Sequence, residues 1–559
     1  MKASDLFVKC LESENVDYIF GLPGEENADM VMSLLNSKIQ FILTRHEQSA
    51  AFMADVYGRL TDKVGVCLAT LGPGATNLTT GIANANMDRS PVLAITGQTD
   101  TNSLHKESHQ NMDVITMFKP ITKWNWSVRN ADSIPEIVRR SFKISLEEKV
   151  GATHIELPQD IAKIDSKIIP IPSTEVLRSL PNMFLIKKAV KLILDAKKPL
   201  ILIGNGCIRQ NATFYVRKFA ELTGMCSVNT FMGKGVISDN SERHLKTIGI
   251  KEADHVLLAM KESDLVIAIG YDLVEYSPKF WNGAVDKKII HIDFTPAETD
   301  TYYPPAVEIA ADIELTIDSI LSELEKEKQK DPCISCFPCH DIPELFKKIR
   351  KEIVQNIRDF TNDSSYPIKP EKLVTDVRTV LGENDVVISD VGVHKLWIAK
   401  IYDTFEPNTC IIPNGFCSMG FSVPGAIAAQ LVFPEQKVVA MCGDGSFLMN
   451  IQELETAVRL KLPIIIIVWV DNEYGLISLK QKMEFGKSGF TKFNNPDFVM
   501  LAESFGAKGY QVNSAAEFQP TLIEASKSVD TPVIIAVEVD NSRNSVLLND
   551  EYCNLPSQK

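Results

Sequence analysis

The chain has 559 residues, 45% of them hydrophobic and 23% charged, the balance of an ordinary globular protein. Its formal charge of −14 and pI near 5.3 argue against nucleic acid or an anionic membrane surface as the main partner. The longest apolar run, Leu462–Val470, is far too short to span a bilayer, and at ~150 residues per domain the length suggests three or four domains.

The N-terminus, MKASDLFVKCLESENVDYIFG, has no signal-peptide core and carries acids foreign to a transit peptide, so a cytoplasmic protein is expected. Strands are predicted at DYIF (17–20), FILT (41–44), VGVCLAT (64–70), PVLAITG (91–97) and THIEL (153–157). Next, KIIPIPSTEVLRSLPN (167–182) carries three prolines and little period, and reads as a linker. Strands resume at PLILIG (199–204), DLVIAIG (264–270) and KIIHID (288–293). A second linker, EKEKQKDPCISCFPCHD (325–341), precedes a basic amphipathic helix beginning at Ile342, which leads through TNDSSYPIKP into the last domain. That domain offers DVVISD (385–390), KVVAMCG (437–443), PIIIIVWV (463–470) and VIIAVEV (533–539). Continuous apolar strands alternating with helices mark parallel sheets covered on both faces. The fold class is therefore α/β, with three doubly wound parallel-sheet domains at 1–165, 183–325 and 366–559. The stretches VCLATLGPGATNLTTGIANA (66–85) and VVAMCGDGSFLMNIQELETA (438–457) share a strand, a Gly-rich turn and a helix, a hint of duplication.

There are 11 cysteines, mostly in apolar stretches, where reduced core residues are expected. Cys333, Cys336, Cys339 and His340 stand apart at suggestive spacing. No second pair accompanies them, and adjacent Cys339 and His340 make awkward co-ligands, so a cysteine-bearing linker is the simpler reading.

The chemistry concentrates where KVVAMCG ends, at Gly443-Asp444-Gly445-Ser446. The glycines let the backbone approach an anion closely, and a helix expected near Asn450–Leu460 would offer free N–H groups. An aspartate there would repel a bare phosphate, unless a divalent cation sits between them. Alone, GDG is a weak signal and reads rather as a plain turn. After the helix and the next buried strand, however, comes Asp471-Asn472-Glu473. Adjacent parallel strands end on the same edge, so Asp444 and Asp471 meet there. Mg²⁺ keeps diphosphate oxygens plus one or two carboxylates, which makes this a Mg²⁺–diphosphate site.

This spacing resembles the motif of thiamine diphosphate enzymes, and the resemblance covers nearly the whole chain. It implies thiamine diphosphate and Mg²⁺ as cofactors. Asp444, Asp471 and the backbone carbonyl of Glu473 would be the metal ligands, with Asp471 where many members have Asn. The family also needs a glutamate that hydrogen-bonds the cofactor pyrimidine at N1′; FILTRHEQSAAFMADVYGRL puts Glu47 at that place. In isolation, a glutamate early in a helix is a capping or solvated charge. The resemblance further implies that Gly72 and Gly74 shape a loop near the reacting carbon. Met419, in NGFCSMGFSVPGA, would hold the cofactor bent, although by itself it reads as a core methionine. Gly392, Val393 and His394, in SDVGVHKLW, would contact the diphosphate.

Within the family the chain is similar to acetolactate synthases of the catabolic, pyruvate-specific type, through GDGSFLMNIQELETAVRLKLP, GYDLVEYSPKFWN and HQNMDVITMFKPITKW. Gln110 matches a glutamine that assists near the reacting carbon. The biosynthetic branch binds FAD and carries Arg-Phe-Asp-Asp-Arg in its central domain. This chain reads IAIGYDLVEYSPKFW there, and its IGNG lacks a full dinucleotide fingerprint, so FAD is not expected. The implied reaction decarboxylates one pyruvate and joins the two-carbon unit to a second, giving 2-acetolactate. The implied assembly is a homodimer or homotetramer with active sites between subunits. One departure concerns the acceptor: GLPGEENAD has Glu26 where the catabolic type has a lysine. The alternatives are a pyruvate decarboxylase and a non-catalytic α/β protein. Against the former, His105 and His109 are separated rather than paired; against the latter, Glu47, Asp444 and Asp471 are all present.

Overall fold

The computed structural model describes residues 1–209, 212–250, 255–330 and 342–547; the Cys333, Cys336, Cys339 and His340 cluster lies outside them. The described strands form three six-stranded sheets. The first contains β1 (Tyr18–Gly21), β2 (Gln40–Leu43), β3 (Gly65–Ala69), β4 (Val92–Gln98), β5 (Trp124–Ser127) and β6 (Ala152–Pro158). The second contains β7 (Pro199–Ile203), β8 (Cys226–Asn229), β9 (His244–Thr247), β10 (Leu265–Ile269), β11 (Lys288–Asp293) and β12 (Val307–Ala310). The third contains β13 (Val386–Ser389), β14 (Cys410–Ile411), β15 (Val438–Gly443), β16 (Ile465–Val470), β17 (Lys508–Val512) and β18 (Val533–Glu538). Every pairing within these sheets is parallel.

The first and third sheets are wound identically. Their orders, β2-β1-β3-β4-β6-β5 and β14-β13-β15-β16-β18-β17, are the same once each domain's strands are counted from its own first. The central sheet, β12-β11-β10-β7-β8-β9, instead has the 3-2-1-4-5-6 order of a dinucleotide-binding sheet. Its switch point lies between β7 and β10, where Gly204, Gly206 and Gly270 pack backbone to backbone. A Cβ on Gly206 would sit 2.6 Å from the Gly270 Cα.

The central strands β3, β4, β10, β15 and β16 are buried almost throughout, as their β-branched sequences require when helices cover both faces. Helix Glu47–Thr61 lies against helix Ser422–Val432, so the first and third domains of one chain share a single apolar core. Phe52 and Phe421 meet edge-on there with centroids 5.5 Å apart, and Gly425 lets Val56 approach.

Six strands go beyond the sequence reading: β5, β8, β9, β12, β14 and β17. Five of these are sheet edges. Edge strands pair on one side only, so they are short or polar (WNWS, HLKT, KGYQV) and carry no continuous apolar run, even where, as in HLKT, other segments bury them. One local expectation is corrected. The helix after GDG does not start near Asn450: a one-turn helix begins at Asp444 itself, and the longer one spans Glu453–Arg459. The intervening Asn450 is held elsewhere, its Nδ2 donating to the Gly420 carbonyl at 2.8 Å while its Oδ1 accepts from Ser49 Oγ at 3.1 Å.

Candidate active site

At the carboxyl end of the third sheet, β13, β15 and β16 bring together Gly392, His394, Gly443–Ser446 and Asp471–Glu473. Asp444 is almost wholly buried. Its Oδ2 accepts from the backbone N–H of Asp471 (3.1 Å) and Asn472 (2.7 Å) and from Asn495 Nδ2 (2.7 Å). Its Oδ1 accepts from the Gly445 N–H at 2.8 Å. Four donors therefore fix the carboxylate against the turn that follows β16, as the parallel register requires. Burial, and then the neighbouring Asp444 charge, push the Asp471 carboxyl upward from the usual carboxylate range. Asp471 Oδ1 accepts from the Glu473 N–H at 3.2 Å. The Glu473 side chain turns away to accept from Thr491 Oγ1 at 2.9 Å, while among the described residues its main-chain carbonyl has no backbone partner.

Among the described residues, no group of three or more His, Cys, Asp or Glu side chains has metal-binding geometry. The donor set here differs: two adjacent carboxylates and one open carbonyl, all hard oxygens, which suit Mg²⁺. The anion side of the site is also prepared. Gly392 starts helix Val393–Ile401, and a Cβ there would lie 2.8 Å from the His394 ring. Gly443 also faces that ring, and a Cβ on Gly445 would lie 2.7 Å from Tyr474. Burial lowers the His394 pKa to about 3, and its Nε2 is buried without a partner among the described residues. Ser446 Oγ donates to the Gly443 carbonyl at 3.1 Å. The half-buried Met419 sits on the adjoining loop.

That loop is held from two sides by acids absent from the sequence reading. Asp390 accepts from the N–H groups of Val391 (2.8 Å), Gly420 (2.9 Å) and Ser422 (2.8 Å). Asp88, from the first domain, accepts from those of Gly415 (2.6 Å), Phe416 (3.2 Å) and Asn414 (3.3 Å). The signal for Asp390 is an acid closing a buried strand, DVVISD; Asp88 and Asn495 have no signal in the sequence alone.

A second cluster forms at the carboxyl end of the first sheet. Glu47 opens helix Glu47–Thr61, whose N-cap His46 accepts from the Gln48 N–H at 3.1 Å. Glu47 is only 9% exposed, so it is not a solvated charge. Its Oε2 accepts from Asn77 Nδ2 at 2.9 Å, and Oε1 lies 3.3 Å from where a Gly74 Cβ would be. Gly72 has φ +45°, and a Cβ there would stand 2.6 Å from the Gln110 carbonyl, so the Gln110 segment rests on this glycine. The Gln110, His105 and His109 side chains are exposed in the single chain. Glu26 Oε2 accepts from Thr70 Oγ1 at 2.8 Å, and Thr70 in turn touches Gly74. Glu26, Glu47, Gly72, Gly74 and Gln110 are thus one neighbourhood. Among the described residues, the Glu47 carboxyl has no hydrogen bond to the Asp444 cluster of its own chain. Each sheet edge carries half of the expected machinery.

In the central domain, the switch-point turn spends its amides internally. The Asn205 N–H donates to Glu275 Oε1 at 2.9 Å, Gly206 to the Gly270 carbonyl at 2.8 Å, and Cys207 to the Gly204 carbonyl at 3.1 Å. Burial raises the Glu275 pKa to about 7.

Family models of thiamine pyrophosphate enzymes match in all three parts of the chain. The N-terminal TPP binding domain matches residues 1–117, the central domain 186–320, and the C-terminal TPP binding domain 390–537. The chain is 36% identical to the acetolactate synthase of Bacillus subtilis (strain 168), over 98% of this chain and 95% of that protein. It is 34% identical to a probable acetolactate synthase large subunit of Methanococcus aeolicus, over 97% and 92% of the two chains. It is 33% identical to the catabolic acetolactate synthase of Raoultella terrigena, over 98% and 96%.

Proposed function

The chain belongs to the acetolactate synthase family of thiamine pyrophosphate enzymes, and from that membership we propose that it converts two pyruvates into 2-acetolactate and carbon dioxide. The observation that carries the reading is the pair of edge clusters: a buried glutamate on one sheet, and two adjacent aspartates beside a glycine-lined loop on another of the same winding. Thiamine diphosphate, when bound, supplies the electron sink that a 2-keto acid needs to lose carbon dioxide. Asp444, Asp471 and the Glu473 carbonyl would hold Mg²⁺ for its diphosphate, and Gly392, Val393, His394, Gly443, Gly445 and Ser446 would give that diphosphate its seat. Met419 would hold the cofactor bent, from a loop that Asp390 and Asp88 keep in place. Glu47 holds a proton at the pyrimidine N1′ in a buried setting suited to proton transfer. Gly72 and Gly74 bring the first-domain loop close, and Gln110, a hydrogen-bond partner rather than a proton source, orients the acceptor keto acid.

The active unit in this reading is at least a homodimer, with the first sheet of one subunit facing the third sheet of the other. The product decides the proposal. Carbon-13 NMR of a reaction supplied with labelled pyruvate, Mg²⁺ and thiamine diphosphate should show 2-acetolactate as the main species. Acetaldehyde in its place would make the protein a decarboxylase. Glu26 is where that outcome would originate, because its carboxylate lies in the Glu47 neighbourhood and disfavours an anionic acceptor.

A further inference from the structure

The basic helix between the central and third domains spans Glu344–Arg358. Its apolar face, with Phe346, Ile349 and Ile353, packs into the same core cluster as Trp281 and Tyr303, so its orientation is fixed. A cationic face on an amphipathic helix is ordinarily solvated. Here part of it lines a cleft of about 720 Å³, closed on the other side by residues beside β9 and by the third domain at Thr375 and Asp403. That volume lies in the range of small-molecule sites, roughly 300–1,000 Å³.

Five cations reach the cleft: Lys246, Lys347, Arg350, Lys351 and Arg358. This is a marked concentration in a chain of net charge −14. The acids there are largely engaged. Asp403 pairs with Lys246, and Asp239 lies 3.6 Å from Lys234 Nζ. Lys347 pairs with Glu344 at 2.6 Å. Arg350 donates through Nη2 to the Asp239 carbonyl, but its Nη1 is buried with no partner among the described residues. Lys351 and Arg358 have no ion pair among the described residues, and of the acids lining the cleft Glu242 alone is likewise without one there. The half-buried Arg350 beside two cations without ion pairs suits a ligand of about three negative charges with several oxygens. Guanidinium forks and ammonium groups together fit phosphate oxygens.

We propose that this interdomain cleft binds a polyphosphate-bearing small molecule of nucleotide size. The site is separate from the cofactor loop. Asp403 follows the far end of helix Val393–Ile401, which starts at Gly392, so about 14 Å of helix lies between them. A bound polyphosphate would compete with Asp403 for Lys246 at that helix's end.

The test uses the full chain saturated with Mg²⁺ and thiamine diphosphate, titrated calorimetrically with ATP, tripolyphosphate and citrate. ATP or tripolyphosphate should bind with an affinity that falls as salt rises. The double substitution Lys351→Ala and Arg358→Ala, at two exposed positions, should weaken that binding by about tenfold or more while leaving the melting temperature unchanged. Equal binding of both phosphates assigns the site to the polyphosphate alone; tighter ATP binding adds a nucleoside contact. The proposal is overturned by no phosphate binding up to millimolar concentration or by unchanged affinity in the double variant. It is equally overturned by tighter citrate binding, or by ATP binding that disappears as thiamine diphosphate is raised, which would place the anion in the cofactor seat.

Discussion

Glu47 accepts one hydrogen bond, from Asn77, in a setting that is 9% exposed. Glutamine at this position keeps an acceptor for Asn77 and loses only the exchangeable proton. Glu47→Gln should therefore fold and bind thiamine diphosphate nearly as the parent does, with kcat lowered on the order of 10²–10⁴-fold. Cofactor titration beside steady-state rates checks this, and near-normal turnover would remove Glu47 from the mechanism. Asp444 does two jobs at once. Its carboxylate gathers the N–H groups of Gly445, Asp471 and Asn472 and the Asn495 amide, and in the proposed function it would also offer the metal a ligand. Asp444→Ala should abolish Mg²⁺-dependent cofactor binding. Asp471→Asn should weaken it only modestly, since an amide oxygen still coordinates and the repulsion from Asp444 is relieved. Magnesium titrations followed by cofactor binding separate the two, and unchanged affinity in Asp444→Ala would reduce GDG to a plain turn.

At the level of elements, the turns that close buried strands carry the proposed site. The turn after β15 holds Asp444, the turn after β16 holds Asp471, and the turn after β13 leads through Asp390 to Gly392. Their strands were legible as unbroken β-branched runs, and their meeting at one edge followed from parallel pairing alone. The edge strands were not legible: a stretch such as HLKT is buried by neighbours that no local pattern reveals. Asp88 was equally hidden. It lies in the sequence 326 residues from Asn414, whose N–H it accepts, and only the shared core of the two domains brings them together. Long-range acceptors of this kind leave no periodic trace. The central-domain turn after β7 makes its own prediction. Its amides at Asn205, Gly206 and Cys207 are taken by Glu275 and by neighbouring carbonyls, so a cofactor diphosphate would have to displace an internal carboxylate. The purified protein should show no stoichiometric flavin absorbance and should turn over without added flavin. A flavin band at one per chain would reopen the FAD-dependent branch.

At the scale of the whole molecule, the two clusters lie on different sheets, and the proposed reaction needs both. If a site joins the first domain of one subunit to the third domain of its partner, two inactive variants can repair one another. Mixing Glu47→Gln with Asp444→Ala chains under subunit exchange yields mixed dimers in which one site holds both mutations and the other holds neither. Random pairing should then restore about a quarter of the parent activity. Sites completed within a single chain would give none. The matching strand orders of the first and third sheets bear on ancestry as well as on assembly. Two units wound alike and sharing one core are what the duplication and fusion of a self-pairing ancestor would leave. On that history the proposed division of labour, a glutamate on one half and aspartates on the other, would have followed the fusion. The central domain, wound in a different order, stands outside that likeness.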